Sequence, residues 1–354
     1  MTLARLHVSD DEVASNVALH DSDAGEDRAL LRLMELSDYI VPFALGAVTE
    51  LGIADHLGED PRPVSEIAQA CDCDPAALER TLRALASKGV FAEPREGWFA
   101  LTPVSQFLQS SHPLSLRHAY TLWPADVTAW LDFKHTLRTG ESSFEHVHGM
   151  PLFDYLARNP AESQHFDRGM EALTRLELRS VLPAYPFHSY QHVADVGGGN
   201  GTFLAGILGA CPSLRGTLFD LPHVVERAPD VFARAGVADR CCAQPGSFFD
   251  SAPEGADLYL MKRIVYSWQD AEATVILRNV RQAMRAESRL LIIEPVVLRG
   301  GHFDLARVLD VQILQQGGGC ARSRRELRTL LEAADLRLTR VIPTPIPIVE
   351  AAPV

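Results

Sequence analysis

Ten residues, Val193-Ala194-Asp195-Val196-Gly197-Gly198-Gly199-Asn200-Gly201-Thr202, constrain the fold of this chain more than any other stretch. The apolar run Val193–Val196 reads as a buried strand and the glycine cluster as a tight turn. Phe203 to Leu208 then carries an apolar helical pattern. Strand, turn and helix N-terminus together offer backbone N–H groups to a polar or negatively charged ligand group. The acid stands two residues before the first glycine, and glycines follow at alternate positions 197, 199 and 201. A dinucleotide fingerprint needs a glycine three residues after the second one. Thr202 stands there, so that pattern fails.

From His188 onward short apolar runs alternate with helical ones. The expected strands are Val193–Val196, Arg215–Phe219, Leu258–Lys262, Leu290–Glu294 and Arg337–Ile342. The expected helices are Thr202–Gly209, Val224–Ala235, Ala271–Met284 and Arg324–Ala334. This alternation predicts a doubly wound, mostly parallel sheet with ligand at the C-terminal ends of its strands. The second strand runs into Asp220, 25 residues after Asp195. An acid there can accept both hydroxyls of a bound ribose, whichever nucleoside carries them.

The first half of the chain is helical. Residues 1 to about 26 are polar and acidic and read as an arm. Apolar residues recur at helical spacing from Asp27 to His56, with Pro42 as a break or kink. A helix near Val64–Ala68, a turn at Cys71–Asp74, a helix from Pro75 to Lys88 ended by Gly89, and a hairpin from Phe91 to Leu101 make a winged-helix pattern. A DNA-binding regulator is therefore a distant alternative. Arg80, Arg83 and Lys88 form too thin a basic face for it, on a chain of net charge −13 that repels nucleic acid and anionic membranes. Residues 113–180 are rich in aromatic side chains (Trp123, Trp130 and Phe166 among them) and stand where a substrate lid would. Histidines 118, 135, 146, 148 and 165 and the six cysteines lack metal-ligand spacing, so no metal centre is expected. No run of 18 apolar residues or leader-like segment is seen, and a cytoplasmic protein is expected.

Further segments follow in a fixed order. They are Pro245-Gly246-Ser247-Phe248-Phe249-Asp250, the run Asp257 to Asp270 containing Lys262 and Val265-Tyr266-Ser267-Trp268, Ile276-Leu277-Arg278-Asn279, Arg289 to Glu294, and Gly317-Gly318-Gly319 before Arg322-Ser323. Together with the glycine loop this series resembles the S-adenosylmethionine (SAM)-dependent small-molecule O-methyltransferases, plant caffeate and flavonoid enzymes and actinomycete antibiotic-tailoring enzymes included. The resemblance spans roughly residues 30 to 350. It implies a winged-helix-like dimerisation and substrate-lid domain over 1–180, a Rossmann-like class I methyltransferase domain over 181–354, a homodimer, and SAM converted to S-adenosylhomocysteine. Asp195, Gly197 and Gly199 would cradle the methionyl part and Asp220 the ribose. Leu221, Ser247 and Phe248 would meet the adenine, with Lys262 and Trp268 near the cofactor. Trp123, Trp130, Phe166, Met170, Asp310, Gln312 and Gln316 would line the acceptor pocket.

Three positions depart from the family pattern. Ser247 replaces an aspartate, Ala321 replaces a supporting carboxylate, and Tyr266 replaces the histidine general base. Glu294 remains from the usual catalytic set. A tyrosine of ordinary acidity is about one part in a thousand ionised at neutral pH and is a poor base. Three explanations compete. Alignment alone can drive methyl transfer to an already acidic phenol. The acceptor can be a carbon, whose attack leaves a cation that aromatic rings stabilise. Or the chain binds SAM and catalyses a non-methylating hydroxylation or pericyclic reaction. Methyl transfer is preferred, with carbon narrowly ahead of phenolic oxygen because two base-related positions are lost together.

Overall fold

The computed structural model describes residues 24–298, 300 and 303–354. Most of the acidic arm therefore lies outside the described residues, and the chain is already helical from Ala24. The described chain forms two compact units that divide at Thr102 and Pro103. This is earlier than the boundary expected at residue 180, and the aromatic helices fall within the second unit.

In the first unit, helices Ala24–Leu36 and Ile40–Glu50 are separated at Ser37–Tyr39. The break precedes Pro42, which sits in the first turn of the second helix, where a missing N–H costs nothing. Asp38 supplies the acceptor for Ile40 N–H at 2.7 Å. Helices Val64–Ala70 and Pro75–Ser87 follow, the latter capped by Asp74 on Ala77 N–H. Strands β1 (Arg62–Pro63), β2 (Phe91–Arg95) and β3 (Trp98–Leu101) make an antiparallel sheet in the order β1-β3-β2, so the winged-helix pattern is realised.

The second unit is built on seven strands: β4 (His192–Val196), β5 (Arg215–Asp220), β6 (Cys241–Pro245), β7 (Leu258–Lys262), β8 (Arg289–Ile293), β11 (Leu336–Ile342) and β12 (Ile348–Pro353). Two-residue strands β9 (Val296–Val297) and β10 (Arg322–Ser323) pair separately. The sheet order is β11-β12-β8-β7-β4-β5-β6. Strands β4 to β8 are mutually parallel, and β12 runs antiparallel between β8 and β11. Strands β6 and β12 were not among the sequence expectations. The helix expected over Val224–Ala235 is two, Pro222–Val225 and Ala228–Arg234.

From β4 the chain first builds outward through β5 and β6, then returns to place β7 on the other side. That reversal opens a crevice beyond the C-terminal end of β4, the standard ligand position in an open α/β sheet. Buried apolar clusters cover both faces of the sheet. One includes Tyr259, Ile276, Leu277 and Ile292, the other Phe203, Leu204, Ile207, Leu208 and Leu260. The helix Thr202–Ala210 buries nearly every apolar side chain it has because it lies between the sheet and the long helix Pro160–Ala184. Gly206 permits that approach, since a Cβ there would lie 2.4 Å from Leu178 Cδ1.

Candidate active site

The glycine loop closes over the end of β4. Gly197, Gly199 and Gly201 have φ of +73°, +63° and +83°, the left-handed region that side chains make costly. Gly197 N–H donates to Phe219 O and Gly199 N–H to Asp220 Oδ2, both at 2.8 Å, so the loop is fastened to β5. Asp220 Oδ1 accepts from Leu221 N–H. Each Asp220 oxygen keeps a lone pair for a ribose hydroxyl. Leu221 is 42% exposed, an apolar face at the rim that an adenine would cover. Phe248 packs beside Gly197 and, with Phe249, against Trp268, and Asn279 Nδ2 holds the Phe248 and Phe249 carbonyls. Ser247 Oγ accepts from Phe249 N–H and so shapes its own loop.

Asp195 differs from expectation. Its carboxyl lies beneath Gly198, fully buried, with neither oxygen partnered among the described residues. Burial pushes it up to about 7, against the opposing pull of Lys262. An unpartnered buried carboxyl lacks a donor. This want of a donor, the free lone pairs of Asp220 and the bare Leu221 face together fit SAM.

Lys262 is turned to the long helix. Its ammonium donates to Thr174 Oγ1 at 3.1 Å and Glu177 Oε2 at 3.2 Å, and burial lowers its pKa. Asn200 donates to Glu171, and Arg227 pairs with Asp167. One face of Pro160–Ala184 therefore clasps the loop, β7 and the residue after it. Glu177, Arg263 and Asn200 were missed as site residues, because nothing local to any of them signals the pairing.

At the acceptor end, Val265–Ser267 forms a single tight turn. Glu294 Oε2 accepts Tyr266 N–H at 3.0 Å, while Glu294 Oε1 is buried and has no partner among the described residues. Burial lifts Glu294 to about 7 and also raises Tyr266. Arg322, 2% exposed, donates to the Val265 and Trp268 carbonyls and pairs with Asp270. Gly318 and Gly319 pack on the same turn, where a Cβ at Gly319 would lie 1.9 Å from Tyr266 O.

Of the expected pocket residues, Trp123 and Phe166 meet in one aromatic cluster with Phe144, and Trp123 Nε1 donates to Glu162. Met170 is half-buried on the long helix. Trp130 and Gln312 line a 440 Å³ groove with Val308 and Val311. Gln316 Nε2 and Trp130 Nε1 both donate to Asp126, whose carboxyl burial pushes up. Asp310 is engaged by the chain itself. Its Oδ1 accepts Ala321 N–H at 2.7 Å and secures the glycine turn. Ligand atoms of Asp132, His135 and His146 lie within 4.8 Å of one another. The two imidazoles are stacked, with centroids 3.8 Å apart and planes at 13°, so their lone pairs run side by side rather than converging on one ion.

Asp195 and Glu294 set a pH dependence. Both bind protons more tightly folded than unfolded. Their stabilisation is full below about pH 4 and is lost as pH rises through about 7. The ligand-free melting temperature is expected to fall between about pH 5.5 and about pH 8. Asp195→Asn should flatten part of that slope, and an unchanged slope in scanning fluorimetry would contradict the assignment.

Residues 130–337 match the family model of the O-methyltransferase domain, and residues 34–111 that of the O-methyltransferase dimerisation domain. The chain belongs to the O-methyltransferase family. Phenazine O-methyltransferase PhzM of Lysobacter antibioticus is 37% identical over 325 residues, covering 91% of this chain and 95% of its own length. Aclacinomycin 10-hydroxylase RdmB of Streptomyces purpurascens is 33% identical over 313 residues, covering 86% and 84%. The crystal structure of the O-methyltransferase NcsB1 from neocarzinostatin biosynthesis, in complex with SAM and 2-hydroxy-5-methyl naphthoic acid, superposes with a TM-score of 0.75 at 30% identity, covering 90% and 98%. This family member is a SAM-dependent methyltransferase of small molecules, with a dimerisation domain before a Rossmann-like domain. Among the described residues no helix is long and apolar enough to cross a membrane.

Proposed function

We propose that the protein transfers the methyl group of SAM to an oxygen of a small aromatic secondary metabolite, without a histidine base. The observation that carries this reading is the arrangement at the end of β4. An orphaned Asp195 carboxyl, Asp220 with free lone pairs and a bare Leu221 face stand within one loop system. Asp220 holds the ribose, Leu221 and Phe248 cover the adenine, and Gly197 and Gly199 admit the methionyl part. SAM supplies an activated methyl, so the protein's own share is to orient the acceptor and exclude water. The aromatic cluster of Trp123, Phe144 and Phe166 suits a flat ring acceptor. Oxygen is preferred to carbon because PhzM and NcsB1 carry O-methyltransferase names and because the Arg263 guanidinium, 3.4 Å from the Tyr266 hydroxyl, favours an oxyanion there.

The protein acts as a homodimer. Leu30, Leu31, Leu33, Met34, Leu36, Ile40 and Phe43 are 47–66% exposed on two successive helices, and an apolar face of this size wants a partner. A cytoplasmic setting suits its six free cysteines. The kinship with RdmB and the missing histidine favour one second reading, SAM binding without methyl transfer. Methyl-labelled SAM incubated with a panel of hydroxylated aromatics should yield labelled product and one S-adenosylhomocysteine per turnover. Product formed without S-adenosylhomocysteine would establish the second reading instead.

A further inference from the structure

We infer that Tyr266 is a hydrogen-bond donor that Arg263 points at the acceptor, and that the acceptor is an oxyanion, a hydroxyaromatic acidic enough to be ionised before it binds. The inference rests on the methyltransferase reading above and names the substrate class for it.

The direction of one hydrogen bond decides the role. Arg263 Nη1 lies 3.4 Å from the Tyr266 hydroxyl. A guanidinium has only donors, so the tyrosine oxygen must accept and its own proton must point elsewhere. Among the described residues no acceptor receives that proton, although Tyr266 is only 8% exposed. A buried donor without an acceptor calls for one from a ligand. A base in this place would offer a lone pair, whereas this tyrosine offers a proton.

Arg263 is held so that it cannot turn away. It occupies φ +57°, and its N–H donates to Ile293 O at 3.0 Å. Its Nε and Nη2 both reach Glu177 Oε1, at 2.8 and 2.6 Å. Glu177 Oε2 takes Lys262 as well. One carboxylate thus serves two buried cations, and while Glu294 is protonated the cluster beside Tyr266 is net positive. The other groups facing the hydroxyl are Glu294 and Glu177, which together with burial keep the phenol protonated.

With such an acceptor the step needs no proton transfer. An oxygen electron pair forms the new O–CH3 bond as the S–CH3 bond breaks, and that bond's pair returns to sulfur. Oxyanion and sulfonium are both neutralised. Tyr266 binds the acceptor oxygen through one lone-pair direction and leaves another for attack. Arg263 is the positioning residue behind it.

The test uses the full chain with SAM and hydroxyaromatics of graded acidity, from 2-naphthol and catechol to lawsone and alizarin. Turnover should be confined to acceptors ionised at the assay pH, and kcat/KM should rise through the acceptor's own pKa and then level. Tyr266→Phe should lose about tenfold to a hundredfold in kcat/KM, chiefly in KM. Arg263→Gln should leave that limb in place and move the rising limb of the kcat profile, which reads the bound acceptor, to higher pH by about one unit. Tyr266→His should extend turnover to naphthol and catechol. Alizarin reports its own ionisation by colour. Bound in the presence of S-adenosylhomocysteine, its pKa should fall in the wild type and fall less in both Tyr266→Phe and Arg263→Gln. Equal turnover of weakly and strongly acidic phenols, or identical alizarin titrations in wild type and Tyr266→Phe, would overturn the inference. If none of the panel binds or turns over while calorimetry shows SAM binding, the acceptor class is wrong and the SAM site stands, with label transfer left to decide the methyltransferase reading. If SAM does not bind either, both fall.

Discussion

Replacing Gly319 by alanine is expected to lower the melting temperature by about 6–12 °C and to cut turnover about a hundredfold. The added Cβ would sit 1.9 Å from Tyr266 O, 2.5 Å from Ser267 C and 2.6 Å from Trp268 N. All three are backbone atoms, so no flexible side chain can yield. Overpacking of this kind costs about 3 kcal/mol, and each kilocalorie shifts a unit of this size by about 2–4 °C. The displaced turn carries Tyr266 and is clamped on its other side by Arg322, so the strain falls on the acceptor end. Gly209→Ala is the control. Nothing lies within 4 Å of its would-be Cβ and it sits in a helix, so alanine should be neutral or stabilise by about 0.5–1 kcal/mol. Thermal melts and initial rates would decide it, and a Gly319→Ala protein indistinguishable from wild type would refute the packing.

Asp220→Ala is expected to weaken SAM binding by about a hundredfold or more. Two ribose hydroxyls each lose a charged acceptor worth about 1.5–3 kcal/mol, and about 1.4 kcal/mol is a factor of ten. The substitution also frees Gly199 and Leu221 N–H, which Asp220 now holds, so the loop loses an anchor. Asp239→Ala, an exposed acid, should bind SAM as the wild type does. Calorimetry measures both, and an Asp220→Ala affinity within threefold of wild type would remove the ribose from this residue.

Strands β4, β5, β7 and β8 were legible because both faces of each are buried, which requires an unbroken apolar run. Strand β6 was not. It is the edge strand and reads Cys-Cys-Ala-Gln-Pro with much of it exposed, so it carries no apolar signature. Strand β12 was hidden by Glu350, a buried charge that Arg340, Thr339 and Tyr185 satisfy from elsewhere in the fold. Asp310 was assigned to an acceptor because polarity on that helix looked unexplained, and its partner, the Ala321 N–H, comes from the turn that follows. Polarity in a sequence announces that a partner exists and does not say which.

The sequence by itself determined the cofactor end. Glycines at 197, 199 and 201 select backbone conformations that other residues resist, and Asp220 ends a strand whose neighbour supplies the loop. All of this is encoded within a few residues of where it acts. Only the tertiary structure decided what Tyr266 does. The letter tyrosine is compatible with a base, a donor or a packed ring. The choice follows from Arg263, which is aimed by Glu177, 86 residues earlier in the chain. Backbone preferences act locally and survive in a linear reading. The position of a proton is set through space, by charges that only the packed, low-dielectric interior brings together.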